Sequence, residues 1–247
     1  TIVIKRPNNT FKIIAALTTP AANGAIYDPA SEQFSALQTG VNIPTAANGA
    51  GGFALKRPDG KFLVVLGNAS AVTNIYDPIN DTFVAGPSLP AGVVANGGMA
   101  ILNADGTFTI MQGNTTVGGT TESTTSAIYD PVRNTMTAGP TLTTATGSGA
   151  WAIPLRNGMY KVSPGVDCGA TGPTATMNYD PRTKVFSAGP PLVTTLAGCG
   201  LVFQRADGFW QMFTGESAAL GTATTNLINP ENGGSGIGTT LIANLLG

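Results

Sequence analysis

Histidine is absent from all 247 residues, and that absence removes more chemistry than any other feature of the chain. Without imidazole there is no Ser-His-Asp or Cys-His arrangement for nucleophilic catalysis and no histidine-ligated metal centre. Charge is scarce as well: twelve Lys and Arg and thirteen Asp and Glu make up 10% of the chain, against roughly 25% in ordinary soluble domains. A net charge of −1 gives no broad positive field, so nucleic acid is not an expected partner. No apolar run reaches the ~18 to 20 residues of a membrane-spanning helix. Two cysteines are too few for a disulfide-dense scaffold, and there is no CxxC pair, phosphate-binding loop or calcium-loop spacing. The sequence thus offers no catalytic residue set, metal site or cofactor site of a familiar kind.

What is present is repetition. Tyr27-Asp28-Pro29, Tyr76-Asp77-Pro78, Tyr129-Asp130-Pro131 and Tyr179-Asp180-Pro181 are followed in register by Ile228-Asn229-Pro230, in steps of 49, 53, 50 and 49 residues. Asp and Pro together start a turn, because the carboxylate can accept from the backbone two residues on and Pro presets φ. Asp28, Asp77, Asp130 and Asp180 are therefore read as structural turn residues. An apolar residue six positions after each Asp, namely Phe34, Phe83, Met136 and Phe186, restarts a strand. Gly86-Pro87, Gly139-Pro140 and Gly189-Pro190 then end it.

A second hairpin lies upstream in every unit, as in Phe53 to Val65, with its turn at Arg57 to Gly60. Each unit reads as four strands, a to d. Repeats of about 50 residues with four strands each predict an all-β fold, a five-bladed kelch-like β-propeller with four antiparallel strands per blade. The whole chain, 1–247, forms one domain, with blades at about 1–44, 50–90, 98–142, 150–193 and 199–247. In the last unit Gly233-Gly234-Ser235-Gly236 replaces the aromatic residue and the Gly-Pro ending, which leaves open whether five blades close alone or within an assembly.

The order strand, turn, strand, small residues, Tyr-Asp-Pro, aromatic residue, Gly-Pro resembles bacterial kelch-like repeats and is similar to the propeller of galactose oxidase. That pattern usually has a double glycine after strand b, whereas Gly67, Gly113, Gly165 and Gly215 stand singly here. The resemblance implies the fold; it carries no copper site, because the chain has no His.

In such a blade the b–c and d–a connections share one face, here the top, and the a–b and c–d turns share the bottom. All twelve Lys and Arg, Lys12 and Lys161 included, map in or beside the bottom turns, where a solvated turn surface is expected. Three acids, Glu122, Asp167 and Glu216, fall in the top b–c loops of units three to five and are the candidate ligand-binding residues. Cys168 and Cys199 map to the top of adjacent blades, so a disulfide between them is expected. Trp151 and Trp210 lie in or beside strands a and b and are expected between blades. Thr1 in place of Met reads as a processed N-terminus after a secretion signal.

These features lead to the expectation of a non-enzymatic extracellular protein, a structural or adhesive subunit of a cell or particle surface. Its partners would be other protein subunits or surface glycans, with head-to-tail homo-assembly pairing the acidic top with the basic bottom. The alternative is a carbohydrate- or cation-binding module using the b–c loops, and behind it a carboxylate glycosidase.

Overall fold

The repeat period appears as five separate four-stranded antiparallel sheets, each ordered as in the sequence. This is seen in a computed structural model that describes residues 2–14, 24–35, 52–67, 71–90, 97–113, 122–147, 149–165, 174–193, 201–213 and 225–238. The first sheet holds β1 (Ile2–Lys5), β2 (Phe11–Ile14), β3 (Gly24–Asp28) and β4 (Gln33–Phe34). The second holds β5 (Phe53–Lys56), β6 (Phe62–Val65), β7 (Thr73–Asp77) and β8 (Thr82–Ala85). The third holds β9 (Met99–Leu102), β10 (Phe108–Met111), β11 (Ser126–Asp130) and β12 (Thr135–Ala138). The fourth holds β13 (Trp151–Pro154), β14 (Tyr160–Ser163), β15 (Thr176–Asp180) and β16 (Val185–Gly189). The fifth holds β17 (Leu201–Gln204), β18 (Trp210–Phe213), β19 (Thr225–Ile228) and β20 (Ser235–Ile237).

Side chains alternate between the two faces of a strand, so each sheet presents one apolar set forward and another backward. Ile2, Ile4 and Ile14 of the first sheet pack with Val64 and Tyr76 of the second. Leu63, Val65 and Ile75 of the second pack with Ile110, Ala127 and Tyr129 of the third. Ile101 and Met111 meet Val162, Met177 and Tyr179 at the next junction, and Ile153 meets Met212 and Ile228 at the fourth. Sheets packed face to face in chain order make a five-bladed, kelch-like β-propeller. Trp151 and Trp210 sit half-buried against the fourth junction.

Both kinds of bottom turn are built on one left-handed residue. In the a–b turns it is Asn9, Gly60, Gly106, Gly158 or Gly208, and in the c–d turns Glu32, Asp81, Asn134, Lys184 or Gly233. The Asp that ends strand c holds its turn by accepting from the backbone: Asp28 from Ala30 at 2.9 Å, Asp77 from Ile79 at 2.9 Å, Asp130 from Val132 at 2.9 Å and Asp180 from Arg182 at 2.9 Å. Asn229 does the same for Glu231 in the last unit.

The irregular ending of the last unit has a simple outcome. In units two to four a hydroxyl at the start of strand c donates to the proline carbonyl of the Gly-Pro pair, from Thr73 to Pro87, Ser126 to Pro140 and Thr176 to Pro190. A Cβ on Gly86, Gly139 or Gly189 would run into that hydroxyl, and one on Gly238 would run into Thr225 in the same way. Gly238 therefore replaces the missing Gly-Pro glycine, and β20 supplies the fourth strand from contiguous sequence.

Gly86→Ala is expected to destabilise the protein by about 1–3 kcal/mol, because the new methyl meets both the Thr73 side chain and its backbone. Denaturant unfolding should show a smaller cost for Gly86→Ala in a Thr73→Ala background. Equal costs in the two backgrounds would place the strain elsewhere.

Candidate functional site

On the top face the structure describes one of the three candidate acids. Half-buried Glu122 precedes β11 and stands next to Ser123, which forms a two-bond bridge with Thr146, Ser123 N to Thr146 O at 3.1 Å and Thr146 N to Ser123 O at 2.8 Å. The Ser123 and Thr125 hydroxyls are 2.8 Å apart, and Thr125 donates to Gln112 Oε1 at 2.6 Å. The Thr146 hydroxyl closes the frame on the Gln112 carbonyl. Glu122 therefore leaves a braced segment that ties strand b to strand c and to the connection after strand d. Asp167 and Glu216, and the Cys168–Cys199 pair, lie outside the described residues.

The bottom face is a set of bonds between neighbouring blades, and its recurring pattern runs from the a–b hairpin of one unit to the c–d turn of the next. At the first junction Arg6 Nε donates to the Pro78 carbonyl at 3.1 Å, while Lys12 pairs with Asp81 at 3.1 Å and Tyr76 donates to the same carboxylate at 2.8 Å. Arg57 Nη1 spans the second, reaching the Tyr129 hydroxyl at 3.0 Å and Asn134 Oδ1 at 2.6 Å. The third joins Tyr179 to Asn103 Oδ1 at 2.6 Å, the Ala104 amide to the Pro181 carbonyl at 3.1 Å, and Lys184 to Asp105 at 2.6 Å. At the fourth, the Arg156 amide donates to the Pro230 carbonyl at 2.9 Å and its guanidinium pairs with Glu231.

Burial, together with the adjacent Asp81 carboxylate, pushes the Tyr76 hydroxyl up; burial does the same to Tyr129 and Tyr179. The Lys184 and Thr107 bonds bring Asp105 down to about 2. These groups are held in fixed protonation states over the neutral range and act as fasteners.

Lys12 and Lys161 correct the reading of the bottom charges as a solvated turn surface. Both occupy the second position of strand b and are buried between blades. Lys161 Nζ donates to the Gly233 carbonyl at 2.6 Å and to the Pro190 carbonyl at 2.5 Å, and no carboxylate pairs with it among the described residues. Desolvation lowers its pKa to about 8. Its register partner on β15 is Asn178. Neither the Asn178 Oδ1 nor the nearby Ser163 Oγ has a hydrogen-bond partner among the described residues. Period-two alternation was the available signal: in Phe11-Lys12-Ile13 and Tyr160-Lys161-Val162, a strand lysine between apolar neighbours must point to the opposite face.

No protein-family model matches the chain, and no curated protein matches it. Among solved structures it is similar to a fungal alcohol oxidase of the AA5 family, solved in complex with copper, at TM-score 0.50 and 13% identity. The match covers 97% of this chain and 64% of that one, so the chain spans less than two thirds of that structure's length. At this identity the likeness establishes the fold.

That finding overturns the expectation of a non-enzymatic structural or adhesive propeller, and the binding-module and glycosidase alternatives with it. Those readings took a repeat scaffold with little catalytic inventory as a sign of a passive or purely binding role, yet a propeller matching nearly the whole chain belongs to an oxidase. Copper itself does not suit these residues. The chain has no imidazole, the ligand type that best suits copper among nitrogen donors. Tyr76, Tyr129 and Tyr179 each spend their hydroxyl within a different blade junction, and the described residues include no group of three or more His, Cys, Asp or Glu that could hold a metal.

Lys161 gives the fourth junction a pH signature. Its pKa is lower in the folded than in the unfolded chain, so between pH 8 and 10.5 the unfolded chain binds more protons and stability rises with pH. Above about pH 10 the raised tyrosines reverse the trend, because the unfolded chain loses those protons first. Unfolding free energy should rise by about 1 kcal/mol between pH 8 and 9.5, the Lys161 gain being partly offset by the tyrosines, and Lys161→Met should abolish that rise. A wild-type profile that is flat or falling over this range would refute the assignment.

Proposed function

We propose that these 247 residues form the propeller portion of an alcohol-oxidising enzyme, supplying scaffold and substrate contacts while the redox centre is built from groups outside them. The observation that carries the reading is the fold likeness to an alcohol oxidase over 97% of this chain, with a third of that structure unmatched. The donor set described above supports the division of labour, since the chain brings no imidazole.

The substrate-facing surface in this reading is the top, where long loops rest on rigid blades. Glu122 is braced there by the Ser123–Thr146 bridge, and Asp167 and Glu216 occupy equivalent loops of the next two units. Carboxylates accept hydrogen bonds from the hydroxyls of an alcohol, which orients the carbon bearing them. An extracellular setting accompanies the proposal, on the low charge and the Thr- and Gly-rich loops.

Two measurements test it. Calorimetry of the chain with a panel of primary alcohols and polyols should show weak binding that Glu122→Gln or Glu216→Gln reduces about tenfold, and the chain alone should retain no tightly bound copper. Protein from its native source should release peroxide when given a primary alcohol and oxygen. No alcohol binding, or a native protein without oxidase activity, would refute the proposal.

A further inference from the structure

Four stretches of the chain match Asn-X-Ser/Thr, the acceptor sequence for an N-linked oligosaccharide, and a chain rich in Thr produces such matches by chance. Their side-chain bonding separates them. Asn68-Ala69-Ser70 and Asn114-Thr115-Thr116 lie outside the described residues. Asn8-Asn9-Thr10 and Asn80-Asp81-Thr82 both fall in bottom turns at the first junction.

Asn8 stands exposed at the tip of the β1–β2 hairpin, which is closed by Arg6 N to Thr10 O at 2.8 Å and Asn9 N to Arg6 O at 3.1 Å. Its Oδ1 accepts from the Thr10 amide at 3.2 Å and from the Thr10 hydroxyl at 2.7 Å. A backbone N–H can only donate, so the oxygen must face Thr10 and the amide nitrogen is left on the other side. Among the described residues Asn8 Nδ2 has no hydrogen-bond partner.

Asn80 is exposed as well, but its nitrogen is in use. Nδ2 donates to Asp77 Oδ2 at 3.1 Å, and Asp77 also accepts from the Ile79 and Asn80 amides in holding its turn. Asp81, the middle residue of that match, is committed to Lys12 and Tyr76 at the junction. A sugar on Asn80 would crowd the Asp77 bond, whereas one on Asn8 displaces no bond.

We propose that Asn8 is a glycosylation site, carrying an N-linked oligosaccharide at Nδ2. This rests on the extracellular setting given above, because the modification belongs to secreted chains. The donor is an oligosaccharide carried on a lipid diphosphate. A bond forms between Nδ2 and the sugar C1, the C1–O bond to the diphosphate breaks, the diphosphate leaves with the electron pair, and one amide proton is released. No oxidation or reduction takes place. Both Thr10 bonds to Oδ1 survive, since the new bond is made at nitrogen. The oligosaccharide projects from the bottom face, opposite the loops assigned to substrate, and leaves Arg6 and Lys12 to hold the first junction.

The intact chain from two sources tests this: its native source, and a eukaryotic host that secretes it behind a cleaved signal. Peptide mapping by mass should find Asn8 glycosylated in both, and enzymatic release of the oligosaccharide should convert Asn8 to Asp. In the host, Asn8→Gln and Thr10→Val should remove this sugar, Thr10→Ser should keep it, and Asn80 should be unmodified throughout. A bare Asn8 on chain recovered outside the cell, from either source, overturns the site and leaves the extracellular reading standing. Native protein held inside the cell with Asn8 bare overturns both. A sugar that stays on Asn8 after Thr10→Val also overturns the assignment.

Discussion

An antiparallel blade that is apolar on both faces is stable only between two covering surfaces, and every other feature of this structure follows from that constraint. Leu63 and Val65 look one way from β6 while Val64 looks the other, and all three are fully buried because a sheet lies on each side. The repeat period of about fifty residues is the length of chain needed to build one such slab and return to the same edge. Stability is then close to a sum of blade and junction contributions, as in other repeat proteins.

Apolar packing alone leaves the relative height and tilt of adjacent slabs loosely set, and the bottom-face bonds supply the missing registration. A donor from one a–b hairpin meets the next c–d turn at a residue already held in the left-handed conformation. The identity of that residue varies, Asp81, Asn134, Lys184 or Gly233, and the donor varies with it. At the third junction the polarity is reversed, with Lys184 reaching back to Asp105. The geometry of the turn is kept while the charges are exchanged, and nine charged side chains, Arg6, Lys12, Arg57, Asp81, Asp105, Arg156, Lys161, Lys184 and Glu231, fasten blades together.

The fold was legible because the Tyr-Asp-Pro and Gly-Pro signals recur at a fixed spacing and each has a local cause: a carboxylate cap, a locked φ and a glycine pressed against a hydroxyl. Even the decayed fifth unit keeps the essentials in Asn229, Gly233 and Gly238. Lys12 and Lys161 were misread because charge was taken as a sign of exposure, whereas strand alternation put them between blades and backbone carbonyls or a carboxylate satisfy them. The partners of Arg57, more than seventy residues away, could not be found without first aligning the units. Function was the least legible part, since a scaffold of this kind hosts unrelated activities and the top loops carry few residues of distinctive chemistry. Of the three acids singled out there, Glu122 alone falls among the described residues, and its bracing by Thr146 depends on a contact across 23 residues that no local pattern announces.

The central claim is that the a–b arginine of the first two units fastens each blade to its successor. Arg57 and Arg205 occupy the same position in their units, but the first reaches Tyr129 and Asn134 while the second, among the described residues, pairs with Asp207 of its own turn. Urea unfolding of Arg57→Ala and Arg205→Ala compares them directly. Arg57→Ala should lose about 1–3 kcal/mol, the range for a charge-assisted bond to partly buried groups, and Arg205→Ala less than about 0.5 kcal/mol, as for an exposed ion pair. Equal losses at the two positions would contradict the account.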